Sequence, residues 1–216
     1  MTEDELASAV TPAAIRREVA LPLRLGDRVL EARAYTFHGL WDGREHLALA
    51  LGDVPAFDGD PGRTPLVRLH SECLTGDVLG SLRCDCGPQL HEAVERIAGV
   101  GGYLLYLRQE GRDIGLYNKL DAYALQDAGL DTYEANRALG FDGDERDYTV
   151  AAQMLLALGV ERLDLLTNNP DKVAQLEAAG IRVSSRVPTG LHRTPVNGRY
   201  LAAKASIGHD LLGVTL

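Results

Sequence analysis

From Leu66 onward, short apolar runs alternate with stretches of helical period, and this alternation limits the possible folds more than any other feature of the chain. The runs are VRLH (67–70), YLLYL (103–107), RLDLL (162–166) and IRVSSRV (181–187), and the helical stretches cover 89–97, 114–127, 149–158 and 171–179. Strands spaced by helices read as βαβ units, whose crossovers bring each strand back parallel to the last. The region before them differs. VLEARAYTF (29–37) and HLALAL (46–51) alternate apolar and polar residues between the turns LGD (25–27) and WDG (41–43), which is the pattern of an antiparallel meander. The expected fold class is therefore α/β: a layered mixed sheet with flanking helices, preceded by an N-terminal antiparallel β meander. FDGDPGRTP (57–65) reads as a loop, 1–14 as a flexible leader, 15–212 as a single catalytic domain, and 202–207 as a short closing helix.

A chain of 216 residues is long enough to bury a proper core. Its net charge of −9 argues against a nucleic-acid partner, since such proteins carry a basic stripe to replace phosphate counterions. A mononucleotide remains compatible, because a local cluster of Arg and Lys is screened from distant carboxylates within about 8 Å. The start MTEDELASAV is acidic and lacks the basic and apolar regions of a secretory signal, and no apolar run reaches the ~20 residues of a membrane helix. A cytoplasmic location without membrane contact is the expectation.

The cysteines carry the first chemical signal. There are 3, and Cys73, Cys84 and Cys86 all fall in one short stretch. An odd count without an export signal speaks against a disulfide framework. Three soft thiolates suit Zn²⁺ and leave one tetrahedral position open, the arrangement of a catalytic site. Three buried small hydrophobes are the plainer alternative. His70, three residues before Cys73, is a possible fourth ligand that would close the site into a structural one.

Further along, RQEGRDIGLYNK (108–119) follows a strand and opens a helix, where a Gly-flanked Arg112 is placed to hold phosphate. Glu110 can accept from the N1–H and N2–H₂ edge of guanine, a pattern adenine lacks. Tyr123 lies at helical spacing with Leu116, Leu120 and Ala124, which reads equally as core packing. FDGDERDY (141–148) carries Asp144 and Arg146 in a charged loop, and LLTNNPDK (165–172) puts Thr167 at a strand end and Lys172 in a helix's first turn after Pro170. A crevice at the carboxyl ends of parallel strands would collect these groups.

HSECLTGDVLGSLRCDCGPQL (70–90), RQEGRDIGLYNKLDAYALQDAGLDTYEAN (108–136), LGFDGDERDY (139–148) and LLTNNPDK (165–172), taken in order, closely resemble the GTP cyclohydrolase II family. The resemblance implies hydrolysis of GTP to 2,5-diamino-6-(5-phosphoribosylamino)pyrimidin-4-one, formate and pyrophosphate, the entry to riboflavin synthesis. It also implies catalytic zinc, Mg²⁺ with the triphosphate, and a homodimer. Carried over by position, Cys73, Cys84 and Cys86 match zinc ligands. Arg68, Leu69, His70, Ser71 and Glu72 match a GTP-contacting segment, and Gln89, Glu110, Gly111, Arg112, Thr132, Thr167 and Lys172 match further contacts. Asp144 matches the proton acceptor, Arg146 the proposed nucleophile and Tyr123 a tyrosine linked to the active site. Gly80 and Pro88 stand where many members carry larger residues. No stretch is left over for a second, dihydroxybutanone phosphate-forming domain. The rival readings are a cyclohydrolase that stops at the formamidopyrimidine and a non-catalytic zinc-containing nucleotide-binding regulator. A nucleobase deaminase is disfavoured, because its HxE…PCxxC pattern is missing.

Overall fold

The computed structural model describes residues 12–54, 63–141 and 146–206. Nine strands and six α-helices are described: β1 (Ala14–Ala20), β2 (Leu23–Leu25), β3 (Arg28–Leu30), β4 (Ala32–His38), β5 (Leu47–Leu51), β6 (Leu66–Ser71), α1 (Cys86–Val100), β7 (Gly102–Leu107), α2 (Leu116–Asp127), α3 (Thr132–Ala138), α4 (Thr149–Ala157), β8 (Arg162–Leu166), α5 (Pro170–Ala178), β9 (Arg182–Val187) and α6 (Gly198–Ser206). A π-helical turn at Leu74–Val78 lies between β6 and α1.

Seven strands form one mixed sheet in the order β1-β4-β5-β7-β6-β8-β9, and β2 and β3 form a separate small hairpin. The pairs β1/β4, β4/β5 and β5/β7 are antiparallel, while β7/β6, β6/β8 and β8/β9 are parallel. The expected α/β class and mixed sheet are what the molecule has.

Period-two alternation assigns the strand residues to two cores. On one face Val67, Leu69, Tyr103, Leu105, Leu107, Leu163 and Leu165 pack with Met154 and Leu155 of α4 and Leu176 of α5. On the other, Leu49, Leu51, Leu66, Leu104 and Leu166 pack against Ala93, Val94 and Ile97 of α1. Strands covered on both sides are mostly apolar, which is why the runs of β6, β7 and β8 read so clearly, whereas β9 lies at the sheet edge and is mostly exposed.

Helix starts follow local chemistry. The Asn169 side chain accepts from the Asp171 N–H and Pro170 fills the first turn, so α5 begins where NNPD predicts. The other boundaries shift modestly. α1 starts at Cys86, earlier than 89, and α6 starts at Gly198, earlier than 202. The run 29–37 is split at Glu31, with its first residues in the β2–β3 hairpin. β1 begins at Ala14, the last residue of the expected leader. α3 and the π-helical turn were not anticipated, being too short to show a period. Most of the expected loop at 57–65 and the chain after Ser206 lie outside the described residues.

Candidate active site

β6, β7 and β8 run parallel, so the segments that follow them emerge on the same side of the sheet. Those segments begin at Glu72, Arg108 and Thr167, and together with α1, α2 and α6 they enclose a cleft of about 1170 Å³, counted to its open mouth. Among the described residues its walls carry Arg68, Arg83, Arg112, Lys119, Arg146, Lys172 and Lys204 against two carboxylates, Glu72 and Glu110. An acidic protein thus presents a cationic cleft, suited to a polyanion.

The cleft is lined by the sulfur-bearing Cys73, Cys84 and Cys86, whose sulfurs all lie within 4.8 Å of one another, with Cys73 and Cys84 at 3.7 Å. Two sulfurs bound about 2.3 Å from a tetrahedral ion lie roughly 3.8 Å apart, so this donor set fits a Zn²⁺-sized soft-ligand site. Gly76 backs the cluster: a Cβ there would come 2.7 Å from Cys84 Sγ and 3.1 Å from Cys73 Sγ. Asp77, in the same turn, ties the loop down. Its carboxylate accepts from the Cys73 N–H at 3.0 Å and the Tyr106 hydroxyl at 2.8 Å, and pairs with His70 Nε2 at 3.0 Å. The fourth-ligand role considered for His70 is therefore not what the geometry shows. His70 stacks on Tyr106 and engages Asp77, and it is absent from the sulfur cluster. Burial pushes its pKa down, outweighing Asp77.

The protons among the sulfurs are shared unequally. Hydrogen bonds from Cys84 and Cys86, helped by the nearby Lys119 charge, favour the thiolate at Cys73, whereas the same contact raises Cys84 to about 11. Lys119 donates to Cys73 Sγ at 3.1 Å, Thr75 Oγ1 at 2.9 Å and Glu110 Oε1 at 2.8 Å. Burial opposes its charge, but Cys73 and Glu110 win and its pKa is raised. Tyr123, one turn further along α2, lies beneath the Arg83 guanidinium at 4.7 Å, and burial raises its pKa. Its hydroxyl is thus held protonated and able to donate.

Buried cations also line the cleft. Arg68 donates to Leu166 O at 2.9 Å and to Gln89 Oε1 at 2.8 Å, and Gln89 in turn donates to Asp85 at 2.7 Å. Lys172 donates to Leu69 O at 2.7 Å and lies 5.1 Å from the Tyr148 ring centre, with the Arg146 guanidinium 5.9 Å from the same ring. Arg68 Nε and His70 Nδ1 are buried with no hydrogen-bond partner among the described residues, and both residues line the cleft. Buried polar atoms are nearly always satisfied, so these two are positioned to meet polar ligand atoms.

A family model for GTP cyclohydrolase II matches residues 15–188. The chain belongs to the GTP cyclohydrolase II family. GTP cyclohydrolase-2 of Vibrio cholerae is 52% identical over 183 residues, covering 85% of this chain and 90% of that protein. GTP cyclohydrolase-2 of Azotobacter vinelandii is 57% identical over 184 residues, covering 83% and 86%. The riboflavin biosynthesis protein RibBA of Bacillus velezensis is 53% identical over 196 residues, covering 90% of this chain but 47% of the relative. The chain thus spans about half of RibBA and most of the GTP cyclohydrolase-2 relatives.

The GTP cyclohydrolase II site residues expected from the sequence converge with few exceptions. Arg68, His70, Ser71, Glu72, Gln89, Glu110, Gly111, Arg112, Tyr123, Arg146, Thr167, Lys172 and the three cysteines all line the cleft. Leu69 does not: its side chain is fully buried in the core, and its carbonyl serves Lys172 instead. Thr132 opens α3, but its side chain lies outside the described residues, as does all of Asp144. Glu110 is more occupied than expected. Leu74 N–H donates to Oε2 at 2.7 Å, while Lys119 and the Gly111 N–H occupy Oε1. That leaves roughly one of a carboxylate's four acceptor sites for a ligand. Gly111, Arg112 and Asp113 run consecutively at positive φ (65°, 64° and 75°), so this loop holds a left-handed turn that non-glycine residues rarely adopt.

Several lining residues escaped the sequence reading: Lys119, Gln109, Asn168, Asn169, Tyr200 and Lys204. A signal existed for some. Lys119 is four residues before Tyr123, and Tyr200 four before Lys204, the spacing that puts helix residues on one face. Lys204 donates to Asp85, the fully buried residue between Cys84 and Cys86, at 2.7 Å. Tyr200 OH approaches Cys86 Sγ at 3.9 Å.

Proposed function

We propose that this chain hydrolyses GTP to 2,5-diamino-6-(5-phosphoribosylamino)pyrimidin-4-one, formate and pyrophosphate, opening riboflavin biosynthesis. The observation that carries the reading is a cationic cleft lined by three clustered cysteine sulfurs. Cys73, Cys84 and Cys86 would hold zinc, which when bound supplies Lewis acidity for hydrolysis near neutral pH. No helix among the described residues is long and apolar enough to cross a membrane. We place the enzyme in the cytoplasm as a homodimer whose catalytic domain spans 15–212.

The residues divide the work by position. Near the sulfurs, Glu110 takes one N–H of the guanine edge with its remaining acceptor site. The protonated Tyr123 hydroxyl donates to the imidazole ring as it opens at C8 and to the formyl oxygen before formate leaves. Around Tyr148, Arg146 and Lys172, joined by Arg112 from the loop after β7 and by Mg²⁺ on the triphosphate, neutralise the charge gathering on pyrophosphate. Arg68, Gln89 and Thr167 orient the ribose-phosphate between these two groups, and Asp144 accepts the proton from the attacking water. Arg146 acts as an electrostatic clamp rather than a covalent nucleophile. Guanidinium stays protonated, and a cation with no lone pair to offer is a poor nucleophile. Arg146→Lys is expected to retain substantial pyrophosphate release; a complete loss with GTP still bound would favour covalent attack.

The decisive experiment loads the protein with zinc, adds GTP and Mg²⁺, and identifies the products by mass. Formate with pyrophosphate supports the proposal. Formamidopyrimidine without formate would leave a cyclohydrolase that stops early, and bound but unchanged GTP would leave a regulator.

A further inference from the structure

Lys119 has no place in the division of labour above, yet it is among the most constrained side chains in the molecule. It is 9% exposed, and its ammonium spends its three N–H donors on three acceptors: Cys73 Sγ at 3.1 Å, Thr75 Oγ1 at 2.9 Å and Glu110 Oε1 at 2.8 Å. An ammonium has three donors and no more, so its orientation is fixed. Cys73 caps the π-helical turn that begins the cysteine loop, Thr75 lies within that turn, and the third acceptor is the carboxylate assigned to guanine. The helix that carries Lys119 also carries Tyr123, whose ring centre lies 5.9 Å from the ammonium.

Charge explains why a cation belongs there. Three thiolates around a divalent ion leave a net charge of −1, which is costly to bury without a partner. Thiolates also push electron density onto the metal and weaken it as a Lewis acid, and a donor on the sulfur withdraws part of that density. We propose that Lys119 is a positioning residue of the metal site, balancing the charge of the tris-thiolate centre through Cys73 while the same ammonium fixes the Glu110 carboxylate. Metal affinity and guanine recognition are then linked through one side chain. The inference rests on the reading that the three cysteines hold a divalent metal.

The test compares the wild type with Lys119→Met and Lys119→Arg, each checked for folding by circular dichroism. Zinc affinity is measured by competition with a chromophoric chelator, and Co²⁺ replaces zinc as a spectroscopic probe. Lys119→Met is expected to weaken zinc binding about 10- to 100-fold. Its thiolate-to-cobalt charge-transfer band should move to longer wavelength, because a sulfur that loses its donor gives up electrons more readily. Lys119→Arg, which keeps the cation, should recover most of the affinity and the band position. A folded Lys119→Met protein with wild-type zinc affinity and an unshifted cobalt band would overturn the inference. Should the Met variant fail to fold, Lys119→Gln carries the same readouts, since it keeps donors but loses the charge. Weakened zinc binding there supports the proposal, and unchanged binding overturns it. Wild-type protein that takes up neither ion would bring down the metal reading itself, whereas a wild type that loads one ion alongside indistinguishable variants removes only the role of Lys119.

Discussion

The antiparallel half of the sheet (β1, β4, β5) and the parallel half (β7, β6, β8, β9) are one hydrogen-bonded surface, buried at its centre and exposed at its edges, yet the halves differ in chemistry. Every residue of β1 is exposed, whereas β6 is buried from Leu66 to His70. The cleft-lining cations and cysteines lie in the parallel half and its connections. Parallel strands deliver all their carboxyl ends to one side, so successive loops converge there, while antiparallel strands deliver theirs alternately to opposite sides. Chemistry collects where the chain direction repeats. The antiparallel half still contributes from below. His46, just before β5, accepts from the Arg108 N–H through Nδ1 at 2.9 Å, and Arg44 donates to Arg108 O at 3.0 Å and pairs with Asp113. It props the left-handed loop that presents Glu110 and Arg112.

The largest effect should come from the sulfur cluster of the parallel half. Cys84→Ser is expected to abolish stoichiometric zinc binding and to lower turnover by about 10³-fold or more, since the metal's contribution to the barrier amounts to several kcal/mol. Metal analysis of purified protein alongside formate release checks both. Full activity in a zinc-free Ser variant would place the chemistry elsewhere in the cleft.

Next in size is the contrast in packing. Leu105→Ala, at a residue that is 0% exposed in the middle of the sheet, should destabilise the fold by about 2–5 kcal/mol in urea unfolding. Val19→Ala on β1, at a residue that is 48% exposed, should change stability by less than about 0.5 kcal/mol. Similar values for the two would mean that β1 is buried in solution, as it would be if covered by a second copy of the chain.

The same contrast governs what the sequence reveals. Strands buried on both faces write themselves as apolar runs, so β6, β7 and β8 are legible almost to the residue, and the mostly exposed edge strand β9 is read from its place after a helical stretch. β2 and β3, three residues each, leave no period to read. In the site, the cysteines stand out because three soft ligands in one short stretch have few other uses. Lys119 and Lys204 do not, since a lysine on an amphipathic helix ordinarily marks the solvated face. Only tertiary packing turns Lys119 toward Cys73 and Lys204 toward Asp85. Leu69 shows the converse: a residue inside the expected GTP-contacting segment whose side chain serves the core.

A smaller effect tests the prop beneath the loop. His46→Ala removes the acceptor of a part-buried backbone N–H and the partner of Asp42, for an expected cost of about 1–3 kcal/mol. Misplacing Glu110 and Arg112 should raise KM for GTP several-fold while zinc binding stays intact. An unchanged KM would confine the influence of the antiparallel half to stability.

The smallest effect concerns the latch that ties the exit of β9 to α1. Glu92 accepts from the Gly190 N–H at 2.9 Å, and pairs with His192 at 2.8 Å and Arg96 at 2.8 Å. Burial pulls its pKa up, but these three partners outweigh it and hold the carboxyl below its ordinary 4.5. A carboxyl lowered by folding stabilises the native state above the unfolded value, and that stability is lost as pH falls through the folded one. Wild type should therefore exceed Glu92→Gln by about 1 kcal/mol near neutral pH, a value reduced by partial exposure, and the gap should close as the pH drops below about 4.5. In the antiparallel half, the Arg33–Glu18 pair, with side chains 53% and 48% exposed, offers the control. Glu18→Gln should leave thermal unfolding within about 0.5 kcal/mol of wild type at every pH. A Glu92→Gln gap that persists unchanged into acid would show that the latch works through shape rather than charge.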